Sequence, residues 1–332
     1  MNDKPIFRIS PSDLDNLLTA LEVHFVRLSE CLINPGWRLE LGGVDSPAIH
    51  YNIKGRGRMV IGDRVIDLQP HTLVILPAWQ HFHIEVPNIE VGLAGMPTME
   101  ILDGRAMAFP PGAIRRYEAG TGEPELVLIC GYFRALYGAS MNLFSSLEMP
   151  IVEQFDASDQ LDYKLKSALA ELVAQEVGMG AMTAALLKQV LVVLLRRSLS
   201  SINLWVERFS MLSDPHIAHA FADMVAQPGA PHSVKSLAQR ACLSRSAFMA
   251  RFTSLFGQSP MAALCEVRMR QAVMLFSNES LSIDQIARAV GYENRSSFFR
   301  AFRKTYGHSP SDYRVAGNEA IDQSVLAEDK ES

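Results

Sequence analysis

Three sets of residues in this chain have types and spacings that could do chemistry. The first is cationic: Arg295 and Arg300, with Arg303 and Lys304 one turn further on. A planar guanidinium fork matches the acceptor pair on a guanine edge, and a charge further along a helix meets phosphate. Asn294, Ser296 and Ser297 stand beside them as short hydrogen-bonding groups. The second set is His81, His83 and Glu85, alternating with Phe82, Ile84 and Val86. On a strand the three polar groups share one face. Two imidazoles and a carboxylate, with His50 as a further ligand, could hold a divalent ion such as zinc. A polar outer face over an apolar inner one explains the same alternation more simply, so no metal and no cofactor is expected. A pocket for a small effector, touched by Trp37, His50, His81 and His83, is intermediate between the two. The third set is Cys31 and Cys130, which could close a reversible disulfide and act as a redox switch. Two small buried hydrophobes are the alternative.

The cationic residues belong to the second copy of a repeated device. The first copy runs Leu237-Ala238-Gln239-Arg240-Ala241-Cys242-Leu243-Ser244, then Phe248, Phe252, Phe256-Gly257 and Ser259-Pro260. The second runs Ile286-Ala287-Arg288-Ala289-Val290-Gly291-Tyr292-Glu293, then Phe298, Phe302, Tyr306-Gly307 and Ser309-Pro310. The offset is about 49 residues upstream and about 50 from the phenylalanines onward, so the second copy has one extra residue in its turn. Ser282 with Gln285 reads as a capping box. Ser244, and Asn294 or Glu293, can cap the second helices. Phe248/Phe252 and Phe298/Phe302 form inward stripes at i, i+4. Gly291 suits a left-handed helix end, and Gly257 and Gly307 stop the second helices. Each copy reads as helix, turn, helix, over about residues 234–256 and 283–306. The second helix of such a pair can lie in a DNA major groove. In the first copy the exposed positions are Ser244, Arg245, Ser246, Met249 and Ala250, which suit shape and phosphate contacts more than base readout. Cys242 and Cys265 read as core.

The stretch resembles the DNA-binding domain of AraC/XylS-type transcription regulators. Arg268, Ala272, Ile283 and Tyr313-Arg314 extend the match. The resemblance implies a long helix joining the two motifs, for which Met261 to Phe276 fits. It also implies double-stranded promoter DNA and RNA polymerase as partners, in an activator that acts as a homodimer.

Charge supports the division. Residues 214–317 hold 12 Lys/Arg against 7 Asp/Glu, whereas the whole chain of 332 residues carries a net −5. The remainder is therefore acidic, which suits a basic DNA-reading module joined to a different domain. The four cysteines show no metal spacing. Met1 to Ser10 has no apolar core after a basic start, and Lys188 and Gln189 interrupt the nearest long apolar run, Ala181 to Leu195. A reduced, cytoplasmic location without membrane contact is expected.

The elements upstream follow from periodicity. A helix is expected from about Ser12 to Leu32, with Leu14, Leu17, Leu18, Leu21 and Phe25 on one side. From Trp37 to Val86 the period is two, with turns at Gly55-Arg56-Gly57 and Gly62-Asp63, which suggests a β-sandwich or barrel. Met96 to Pro124 reads as a long loop, and Leu126 to Tyr132 as a strand. Leu161–Val177 and Thr183–Leu199 read as helices. On His50, Gly55, Gly57, Leu68, Pro70, Leu73 to Pro77 and His81, this half resembles the cupin-like sensor domain of many AraC-type regulators, with His71 standing where the turn usually has Gly. The expected fold is α+β multidomain. A cupin-like β-barrel (about 37–135) with flanking helices (about 158–199) forms a sensor and dimerisation domain over 1–200, responding to a small-molecule or redox signal. A linker follows over 201–213, then the all-α DNA-binding domain over 214–317 and an acidic tail over 318–332. A cupin enzyme joined to a DNA-binding module and a constitutive DNA-binding protein with a structural barrel are the rival readings.

Overall fold

The computed structural model describes residues 9–88, 99–109, 115–138, 141–145, 147–174, 178–200, 214–276 and 280–314. The expected linker and acidic tail lie outside these. The chain divides into two compact units: Glu22–Ala135 with Asn142–Phe209, and Met1–Leu21 with Leu136–Met141 and Ser210–Ser332. Residues 9–21 and 136–138, expected with the sensor, group by contact with the helical unit.

The strand-rich unit holds two sheets. One has the order β12-β6-β3-β10-β1-β9, with β11 (Met141–Asn142) paired to β10; its strands are β1 (Glu22–Ile33), β3 (Ala48–Lys54), β6 (Thr72–Leu76), β9 (Arg115–Ala119), β10 (Leu126–Tyr137) and β12 (Ile151–Gln154). The other has the order β5-β4-β7-β2-β8, from β2 (Trp37–Gly42), β4 (Gly57–Ile61), β5 (Arg64–Leu68), β7 (His81–Val86) and β8 (Glu100–Asp103). Inner faces of both sheets share one core that includes Leu39, Leu41, Met59, Ile84, Leu76, Leu128, Cys31 and Cys130. Among the described residues the strands form these two sheets, and no closed barrel is found.

Two further expectations are corrected. Residues 22–32 form strand β1 rather than helix, because the helix turns extended at Leu21 (φ −70°, ψ 122°) and the chain then pairs in parallel with β9. The stretch 96–124 is not one loop: β8 pairs with β2 and β9 with β1. His71 takes the glycine-like conformation (φ 69°), and its Nδ1 meets the Tyr51 hydroxyl at 2.9 Å. Helices α2 (Leu161–Ala174) and α3 (Met179–Ser200) pack on one another, and α3 packs on β1. α3 is long and apolar enough to cross a membrane, with Leu187, Val190, Leu191 and Leu194 buried.

The helical unit begins with α1 (Pro11–Ala20), capped by Ser10, which buries Leu14, Leu17 and Leu18. α1 packs on α4 (Pro215–Ala226), where His219 Nδ1 lies 2.8 Å from the Asp13 carboxylate. Two helix pairs follow, α5 (Val234–Arg240) with α6 (Arg245–Phe256), and α8 (Ile283–Ala289) with α9 (Arg295–Tyr306). They are joined by α7 (Pro260–Phe276). Each pair starts on a capping box, Ser233 with Ser236 and Ser282 with Gln285. Ser244 and Asn294 cap the second helices, and Gly257 and Gly307 end them at φ 68° and 80°. Phe248, Phe252, Phe298 and Phe302 are fully buried.

Candidate nucleic-acid interface and buried thiol pair

Burying two phenylalanines per helix fixes which side of α6 and α9 faces out. On α6 that side carries Ser244, Arg245, Ser246 and Ala250, all exposed, with Met249 half-buried. Arg245, Ser246, Met249 and Val234 line an open groove. Ser244 Oγ also meets Ser246 Oγ at 3.2 Å. One turn further, Arg251 is tied to Asp214 at 3.2 Å. The groove thus carries one cation, Arg245, beside a hydroxyl and two apolar side chains.

On α9 the outward residues are Asn294, Arg295, Ser296, Arg300, Arg303 and Lys304, all exposed, with Ser297 half-buried. Asn294 and Ser297 are committed to the cap, because the Ser297 amide donates to the Asn294 side chain at 2.9 Å. Arg295 reaches back to Asp284 on α8 at 3.3 Å, and its guanidinium lies 4.7 Å from the Phe299 ring centre. Exposed pairs of this kind contribute little to stability, but they hold a side chain in one direction. The two arginines a helical turn or more apart present forked donors to the outside, and Arg303 and Lys304 add positive charge at the last turn.

Arg268 was read from sequence only as part of a pattern, and its role is structural. It donates to the carbonyls of Pro228 (2.8 Å) and Ala230 (2.9 Å) and lies over the Tyr292 ring. It thereby ties α7 both to the loop before α5 and to the turn of the second pair. Cys265 Sγ lies 3.4 Å from the Tyr292 hydroxyl. Cys242, expected in the core, is exposed instead. It sits at the turn with φ 52°, so its side chain leaves the helix pair.

In the strand-rich unit, Cys31 and Cys130 come together. They are buried, unbridged and 3.2 Å apart at sulfur, on the neighbouring strands β1 and β10. Ser29 Oγ donates to the Cys130 carbonyl at 3.1 Å across the same strands. Burial, and then the adjacent Cys31, pushes the Cys130 thiol well above its ordinary range.

The four candidate effector residues are not brought together. His81 and His83 alternate with core residues and face away from the core, whereas His50 and Trp37 pack toward it. His83 lies 3.5 Å from Glu85, which also pairs with Arg58 at 2.7 Å. Burial and the Arg38 guanidinium lower the His83 pKa. This is the polar outer face expected from the alternation, and no cluster of metal-ligating side chains exists among the described residues.

Known proteins show the same two parts. The cupin family model matches residues 13–200, and the model described as a helix-turn-helix domain matches residues 237–316. These define a helix-turn-helix regulator with a cupin domain in front. The RCS-specific HTH-type transcriptional activator RclR of Escherichia coli K12 is 28% identical over 226 residues, 66% of this chain and 79% of RclR. The HTH-type transcriptional regulator AlkR of Acinetobacter baylyi is 40% identical over 103 residues, 31% of this chain and 34% of AlkR. The solved DNA-binding domain of the global transcriptional factor AdpA, in complex with a target DNA, is 33% identical, covers 33% of this chain and 98% of that one, and superposes with a TM-score of 0.32. The chain belongs to the AraC family of transcription regulators, with an N-terminal domain of the cupin family.

Proposed function

We propose that the chain binds promoter DNA through two helix-turn-helix motifs, and that the oxidation state of Cys31 and Cys130 sets how well it does so. Helices α6 and α9 would lie in the major groove, α9 reading bases with Arg295 and Arg300 and touching phosphate with Arg303 and Lys304. The chain acts without catalysis, in the cytoplasm and with RNA polymerase as its further partner. The observation that carries the redox half is the 3.2 Å gap between the two buried sulfurs. A disulfide needs about 2.05 Å, so the two sulfurs must close by about 1 Å inside a packed core when it forms. A redox change at a packed pair of strands is a local event of the kind that shifts a two-state protein. RclR, a relative of this chain, is an RCS-specific activator, which is in keeping with a chemical signal.

The test uses the full chain on its selected DNA site, reduced and then oxidised with hydrogen peroxide. DNA affinity should change in the wild type, and Cys31→Ser and Cys130→Ser should each abolish the change. A response that persists in both variants overturns the redox half.

The second copy in a dimer would pack on α3. Met182 and Ala185 are exposed there and Leu186 and Val193 half-buried, along one side of the helix. Sedimentation as a monomer at working concentrations would contradict this.

A further inference from the structure

We propose that a backbone contact between Gly229 and Gly291, clasped by Arg268, holds the two recognition helices in one relative orientation, so that both engage the same DNA face. This rests on the reading of α6 and α9 as major-groove helices and adds the residues that position them. The second helix pair has its own core, built from α7, α8 and α9 with Met269, Phe276, Ile286, Phe298 and Phe302 buried. α6 of the first pair packs on α7 as well. Crossing angles of packed helices scatter by about 15–20°. A shared helix alone therefore leaves the orientation of the pairs loosely set.

The joint between the pairs is made of backbone. A Cβ on Gly229, in the loop between α4 and α5, would meet the carbonyl oxygen of Ala289, the last residue of α8, at 2.2 Å. A Cβ on Gly291 would meet the Gly229 carbonyl oxygen at 2.9 Å. Gly291 is left-handed, which calls for glycine by itself. Gly229 lies outside the left-handed region, so there it is space and not conformation that calls for glycine. The loop that carries Gly229 is stiff. Pro228 and Pro231 fix their own φ angles, and the Ala230 amide donates to the Gln227 carbonyl at 3.0 Å. The His232 ring nitrogen bonds the same carbonyl at 2.8 Å.

Arg268 closes the joint from the side of α7. Its Nε donates to the Pro228 carbonyl at 2.8 Å and its Nη2 to the Ala230 carbonyl at 2.9 Å, so the two bonds bracket Gly229. Its guanidinium lies 5.7 Å from the ring centre of Tyr292, the residue after Gly291. One planar group thus touches the leading loop of the first pair and the turn of the second. Burial works against its charge, and the carbonyl acceptors and the ring face offset that cost. A lysine ammonium has no fork with which to bracket a residue in this way.

Two DNA-binding elements held in register act together, because the second docks at high effective concentration and without a further ordering cost. α6 is poor in base-reading groups, so its share of binding is shape and phosphate contact. Those contacts form readily only if α6 already points at the duplex when α9 reads its bases. The joint therefore governs how much of the DNA is held rather than which bases are read.

The experiment uses the full chain. Spin labels at Ala250→Cys on α6 and Ser296→Cys on α9, with Cys242→Ser and Cys265→Ser, are measured by pulsed electron resonance without DNA, diluted with unlabelled chain. One narrow distance is expected. A broad distribution overturns the proposal without any change at the joint having to fold. Arg268→Lys and Gly229→Ala should broaden the distance. Hydroxyl-radical footprints and salt titrations on the selected DNA site complete the test, on chains without labels. The wild type should protect one patch for α6 and an adjacent one for α9. In both variants the α6 patch should fade, affinity should fall about tenfold and the salt slope by about two, with the preferred bases unchanged. Variants that keep the wild-type distance, footprint and slope overturn the proposal. So does a loss spread evenly over both patches, which is what a purely structural role would give. If the wild type protects a single patch, the reading of two DNA-binding motifs falls and this one with it. If wild type and variants all protect both, only the joint falls.

Discussion

The first helix pair of the DNA-binding unit turns at Cys242, and the second at Gly291. Both residues are left-handed, at φ 52° and 86°. Their amides donate to the equivalent carbonyls, Gln239 and Arg288, each at 3.0 Å. The next amides, of Leu243 and Tyr292, reach Ala238 and Ala287, each at 2.9 Å. The two backbones thus make the same turn with different residues in it. In the second turn a Cβ on Gly291 would meet the Arg268 guanidinium at 2.7 Å and the Gly229 carbonyl at 2.9 Å. In the first turn the Cys242 side chain is exposed and the strain of the left-handed conformation is simply borne. The outward faces diverge in the same way. α6 offers Ser246, Met249 and Ala250, and α9 offers Arg295, Arg300, Arg303 and Lys304. Caps and buried phenylalanines set the backbone, so exposed positions are left to differ without disturbing it.

The contrast can be broken or sharpened by substitution. The largest effect expected is on DNA affinity. Arg300→Ala should cost about 1–3 kcal/mol on the preferred site. Arg295→Ala should cost less within that range, because Asp284 competes for its guanidinium in the free protein. Anisotropy titrations of the full chain measure both. Loss of affinity confined to changes in α6 would reverse the assignment. Next, Gly291→Ala should lower stability by about 2 kcal/mol, combining left-handed strain with displacement of Arg268. An unchanged denaturation midpoint would mean that the second turn is not held as described. Arg303→Ala should weaken every DNA sequence alike and reduce the salt slope by about one. Sequence-dependent loss there would make Arg303 a base-reading residue. The smallest effect is at the first turn. Cys242→Gly should stabilise by less than about 1 kcal/mol, since relief of strain is offset by a freer unfolded chain.

Much of the helical unit was legible from residue spacing. Ser282 with Gln285, Ser244, Phe248/Phe252, Phe298/Phe302 and Gly291 are local signals, and their structures are local too. Cys242 misled because Ala241 and Leu243 flank it, while its own positive φ turns it outward. The strand-rich unit was less legible, since partners far along the chain decide it. Residues 22–33 continue the helical spacing of Leu14, Leu17 and Leu21, yet pairing with β9 makes them a strand. β8 and β9 were hidden in a Gly- and Pro-rich stretch for the same reason. Alternation put His81 and His83 on one face correctly. It could not show that His50, on another sheet, points into the core. The meeting of Cys31 and Cys130 was legible only as a possibility, and it comes from strand adjacency rather than barrel closure.

The most direct test of the asymmetry between the two pairs is a randomised-site selection with the full chain. Wild type, Arg295→Ala, Arg300→Ala and Met249→Ala would be selected in parallel. The account predicts that the two arginine variants each relax the preference at one or two base pairs, while Met249→Ala leaves the selected motif as it was. An unchanged motif in both arginine variants, with an altered motif in Met249→Ala, would contradict it and place sequence reading on α6.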